Sequence, residues 1–102
     1  MTAPNPELTA MAAEAAKQAG LPGTIEADFR RYRTLKGTWE RGADHMKVHI
    51  SHYLQFAPDP IIMEALVNII RVALGQKAIK NSEAMKAWLA ENRHKWTQGA
   101  SQ

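Results

Sequence analysis

Four histidines and not one cysteine bound the chemistry open to this chain of 102 residues. His49 and His52 lie three apart in Lys47-Val48-His49-Ile50-Ser51-His52 and offer two imidazoles to one metal ion. Across a strand end and a turn that spacing does not fix a common face, so surface or hydrogen-bonded histidines are the competing reading. His45 belongs to a turn and is expected in solvent. Zero cysteines remove thiolate ligands, thiol nucleophiles and disulfides. The chain has no serine nucleophile elbow, phosphate-cradling glycine loop or dinucleotide fingerprint; Gly20 and Gly23 fit a helix end and a turn.

Two further groups are candidates for binding. Residues 30–41 hold Arg30, Arg31, Arg33, Lys36 and Arg41 against the single acid Glu40, within a chain of formal charge +3. Trp39 lies among them, and arginine with tryptophan marks protein-binding hot spots and single-stranded nucleic-acid platforms. The competing reading is a solvated strand edge kept from aggregating by its cations, with Trp39 in cross-strand packing. Glu64, Asn68 and Arg71 form a second, helical group at steps of four and three. They read either as an intrahelical pair along a solvent-facing edge or as the floor of a cleft in which Arg71 meets an anion.

These side chains need a scaffold, and the composition supplies an ordinary one. At 45% hydrophobic and 23% charged residues the chain is expected to fold as one globular domain. An ordered core over 5–96 and a flexible polar tail over 97–102 are expected. The longest apolar stretch, near 61–74, is broken by Glu64, Asn68 and Arg71 and is too short to span a bilayer. No apolar start led by Lys or Arg suggests a signal peptide, so a cytoplasmic protein without membrane contact is the expectation.

Helix signals open the chain: Asn5 as N-cap, Pro6 in the first turn, an alanine-rich stripe from Leu8 to Ala19, and Gly20 then Pro22 as a stop. Period-two alternation follows at Ile25, Ala27 and Phe29, with Glu26, Asp28 and Arg30 on the other side. A second strand is expected over Tyr32 to Glu40 with a bend at Gly37, and a third over 46–51, the two forming an antiparallel hairpin. Ser51 caps a short turn through Phe56; Asp59 and Pro60 then open a strongly apolar helix that Gly75 ends. A last helix, capped by Asn81 or Ser82, buries Met85, Trp88 and Leu89. The expected architecture is α+β: an N-terminal helix, a three-stranded antiparallel sheet, a core helix and a C-terminal helix.

Three segments of this order go together: Arg33-Thr34-Leu35-Lys36-Gly37-Thr38-Trp39; Lys47-Val48-His49-Ile50-Ser51-His52-Tyr53-Leu54 followed by Pro58 or Pro60; and Asn81-Ser82-Glu83-Ala84-Met85-Lys86-Ala87-Trp88-Leu89. Together they resemble the compact zinc-peptidase-like domains of the SprT-like and minigluzincin type, across roughly residues 25–96. The resemblance implies a zincin-like fold whose active-site helix normally carries HExxH, two histidines for zinc and a glutamate for the attacking water. Here Asn68 and Val72 stand at the two histidine positions and Ile69 at the glutamate, and no histidine falls between His52 and His94. The resemblance therefore implies a degenerate, non-catalytic relative without zinc or other cofactor, its metal space filled by Ile69 and Val72. A protein partner or self-association follows as the leading expectation, through Arg33, Lys36, Trp39 and Arg41, with Arg71 in the old cleft. A nucleic-acid-binding module using the same basic hairpin is one alternative. An enzyme with a relocated metal at His49 and His52 is the other.

Overall fold

The computed structural model describes residues 5–100, with side chains described through Lys95. Helix α1, Pro6–Ala19, is capped by Asn5, whose side chain accepts the Leu8 N–H at 2.9 Å. Gly20 takes the left-handed conformation (φ 81°) that ends it. Its buried stripe is Leu8, Ala12, Ala15, Ala16 and Ala19, small enough to let the helix lie close on the sheet and on α2. Strands β1, Thr24–Arg30, β2, Gly37–Arg41, and β3, His45–Ser51, follow. A 3₁₀ turn, His52–Phe56, is capped by Ser51, which accepts the Tyr53 N–H. Helices α2, Asp59–Ala73, and α3, Glu83–Ala100, complete the chain. The fold is α+β.

The sheet corrects one expectation: it is mixed, not antiparallel. Its order is β1-β3-β2, with β3 parallel to β1 and antiparallel to β2. The hairpin of β2 and β3 is as expected, but it docks with β3 against β1. Residues 31–36 therefore carry the chain past the end of β3 to the far edge, and β2 is shorter than expected, starting at Gly37. Burial explains the choice. Met46, Val48 and Ile50 are at most 1% exposed on the helix side, and His49 and Ser51 are buried on the other. Such a strand belongs in the middle of a sheet.

The two sheet edges differ. At β1, Thr9 Oγ1 accepts the Ala27 N–H, and Asn5 N–H and Thr9 O–H both donate to the Ala27 carbonyl, so the start of α1 covers that edge. Among the described residues, nothing covers the edge of β2 in this way.

Helix α2 buries Ile61, Ile62, Leu66 and Ile70 against the sheet and α1. Pro58, not Asp59, occupies its N-cap position, and Asp59 is its first residue, where a carboxylate meets the positive helix end. Val72 is a second correction: at 42% exposure it fills no interior space. Gly75 (φ 78°) follows the helix end as expected. Ser82 Oγ caps α3 by accepting the Met85 N–H at 3.1 Å. Met85 is buried, whereas Trp88 and Leu89 are half-buried. Helix α3 runs on to Ala100; the expected flexibility of 97–102 lies outside the described side chains and end residues.

Candidate functional site

The positions that would carry HExxH have other occupations. Asn68 Oδ1 accepts the Ile79 N–H at 2.8 Å while Asn68 Nδ2 donates to the Ile79 carbonyl at 3.2 Å. Arg71 Nε donates to the Lys77 carbonyl, and Glu64 accepts both the N–H and the O–H of Ser82. The polar stripe is thus neither an intrahelical pair nor an open anion site: it pins the connection 76–82 back onto α2. Ile69 packs on Gly37 so closely that a Cβ there would overlap Ile69 Cδ1. An amide committed to backbone, an aliphatic chain on a glycine and an exposed valine are no donor set for zinc.

What these residues do build is a groove. A cavity of about 230 Å³ lies between Leu35 and Gly37 on one side, Ala65 and Ile69 of α2 at its floor, and Met85 and Leu89 of α3 opposite. Ala65, Ile69 and Val72 stand at i, i+4 and i+7, so one side of α2 continues the floor along β2 to the exposed Val72.

Beside that floor runs the uncovered edge of β2. Lys36 O accepts the Ser51 N–H at 2.9 Å, and Gly42 N–H donates to His45 O at 2.7 Å. In the register of β2 on β3 these are hydrogen-bonded pairs, so the alternation of an antiparallel ladder makes Thr38/His49 and Glu40/Lys47 the next ones. The N–H and C=O groups of Gly37, Trp39 and Arg41 therefore point away from β3, with no hydrogen-bond partner among the described residues.

The basic cluster is not one patch. Trp39, 40% exposed, and Arg41 share the helix side of β2, and Arg41 donates to the Ala73 carbonyl at 3.3 Å, on the same end of α2 as Arg71. Lys36 lies over the Tyr32 ring, 4.8 Å from its centroid, and Tyr32 OH bonds Thr38 on the opposite side of the sheet. Arg30 reaches Asp28 there, and Arg33 is exposed in the linker.

That opposite side holds the arrangement the sequence reading missed. His49, 3% exposed, has Nδ1 2.7 Å from Asp28 Oδ1 and Nε2 2.7 Å from Glu40 Oε2. One imidazole thereby joins all three strands. Both ring nitrogens are taken by carboxylates, so none is left to ligate a metal or to take a proton from a substrate. His52 turns instead to the Arg30 carbonyl, so the two histidines are not joined in one site. Among the described residues no three His, Asp or Glu side chains converge as a metal cluster. His45 is half-buried rather than free, held by Thr24 Oγ1 at 2.6 Å and Glu26 at 3.3 Å. The bond to His49 holds the Glu40 carboxyl below its usual range against a smaller desolvation effect, with lesser help from the charges of His49, Lys47 and Arg30. Alternation already put Asp28 and His49 on outward positions; what it lacked was the register that aligns them with each other and with Glu40.

No helix among the described residues is long and apolar enough to cross a membrane. Compared with known proteins, the chain matches no family model, no curated protein and no solved structure.

Proposed function

We propose that the chain is a non-catalytic, metallopeptidase-like module that captures an extended segment of a partner protein by strand addition. The segment pairs with the edge of β2 and lays alternate side chains into the groove over Ile69. The observation that carries this reading is the free edge itself. Three alternate residues, Gly37, Trp39 and Arg41, turn backbone donors and acceptors away from β3, and Gly37 also lines the apolar cavity. Main-chain bonds then supply affinity, and the cavity selects the side chain above it. Trp39 and Arg41, two of the five surface residues expected from sequence, flank that edge, and the helix positions of the resemblance form its floor. The dispersal of the cations over two sides of the sheet argues against a nucleic-acid platform. The cytoplasm is the location we propose, a reducing compartment in which a chain without cysteines loses nothing.

The test is titration calorimetry with short extended peptides carrying large apolar residues at alternate positions. Relative to Trp39→Ala, which removes the same indole, Trp39→Pro takes away one outward N–H, a change that edge strands tolerate. It is expected to weaken binding by about fivefold, the worth of one net backbone hydrogen bond. Cleavage of the peptides in the presence of zinc, or equal binding by W39P and W39A, would refute the reading.

A further inference from the structure

We infer that the Asp28–His49–Glu40 relay is a proton-controlled latch on the edge strand β2, firm when His49 carries both ring protons and slack when it carries one. The inference rests on the strand-addition reading for its purpose but on hydrogen-bond accounting for its mechanism. A carboxylate only accepts. Two short contacts from one imidazole to two carboxylates therefore need both ring N–H groups. When one proton leaves, one carboxylate is left facing a nitrogen lone pair.

The structure determines which end lets go. Asp28 is 6% exposed, lies on β1 and keeps Arg30 at 3.6 Å. The Glu40 side chain is 65% exposed and can turn to water. Release therefore occurs at β2. Among the described residues, the other charged and titratable groups placed near this side of the sheet are Glu26 and Arg30 on β1, His45 and Lys47 on β3, Tyr32 and Lys36 in the linker, and His52 on the Arg30 carbonyl. Glu26 is already shared between His45 and Lys47, at 3.3 and 3.8 Å. Lys47 and Arg30 act on Glu40 but lie on β3 and β1. A slack β2 is a poorer template, because its ordering must accompany peptide binding.

The experiment is amide hydrogen exchange across pH 5 to 9, expressed as protection factors so that the intrinsic base catalysis of exchange cancels. Thr38 and Glu40, whose N–H groups face β3, are expected to lose about two- to fivefold protection as His49 loses its second ring proton, followed by its ring NMR signals. Val48, whose N–H faces β1 and not β2, serves as the internal reference. Glu40→Gln supplies the control. An amide can accept from the charged ring or, flipped, donate to the neutral one, so the pH step should vanish while the fold persists. A flat profile in the wild type, or the same step in E40Q, overturns the latch. Peptide affinity measured over the same range separates the two claims. Binding that weakens two- to fivefold with the step supports both, and binding that ignores it overturns the regulatory role. Absence of binding at every pH counts against strand addition, while the protection factors still decide the latch.

Discussion

Replacing His49 by leucine should cost this domain much of its stability, and the structure indicates how the loss divides. Leucine keeps the apolar bulk of the ring and removes both N–H donors. Asp28 is then left 6% exposed with only Arg30, 3.6 Å away and itself 42% exposed, for company. A buried charge stripped of its partner costs on the order of 3 kcal/mol, against a total of about 5–15 kcal/mol for a domain. In a chain of this length that shifts Tm by roughly 15 °C. Asp28→Asn should cost less, about 1–2 kcal/mol, because the amide oxygen still accepts the Nδ1 proton. Glu40→Gln should leave the midpoint near that of the wild type, since the carboxylate is exposed and screened. The assay is urea unfolding followed by tryptophan fluorescence, with the order H49L, D28N, E40Q from most to least damaging. If H49L unfolds within about 0.5 kcal/mol of the wild type, a surface-like effect, the relay bears no structural weight. If E40Q is as costly as H49L, the assignment of the burden to Asp28 is wrong.

Gly37→Ala places a methyl on Ile69 Cδ1 and should destabilise by about 1–3 kcal/mol; Ile69→Val in the same chain should recover part of that, as a double-mutant cycle in urea would show. Asn68→Ala removes both bonds to Ile79 and should raise the exchange of the Ile79 amide and its neighbours, while the sheet amides stay as protected as before. Glu40 has a folded-state pKa depressed by His49, so its contribution is complete above the unfolded carboxylate value and is lost as pH falls through the folded one. Acid titration of the wild type against E40Q should therefore show the wild type losing its small advantage below the ordinary carboxylate range, and equal acid limbs would remove the claimed bond.

Much of the fold was legible because its signals are local. Asn5, Gly20, Ser51, Gly75 and Ser82 act where the residue types indicate, since a cap needs only its own turn. Sheet order was not legible. Alternation fixes which side a residue faces but not which strand lies beside it, so β3 inserting between β1 and β2 left no mark in the pattern. The site followed the same division. That Asn68, Ile69 and Val72 bring no metal donors is readable from their types. Their actual occupations, a loop clamp, a contact with Gly37 and an exposed groove floor, depend on segments far away in sequence. His49 was read as a hydrogen-bonded or surface residue because three residues to His52 mean little across a strand end. Its partners lie 21 and 9 residues away, and only the register of both neighbouring strands brings them to it.

In the proposed function β2 accepts a strand from another protein and no chemistry follows. Backbone amide NMR during titration with an extended peptide tests it most directly. The N–H groups of Gly37, Trp39 and Arg41 are expected to shift and become protected from exchange, Ile69 and Leu89 side-chain signals to move with them, and the peptide to be recovered intact. Shifts confined to the Asp28–His49 side of the sheet, or a peptide returned in two pieces, would contradict it.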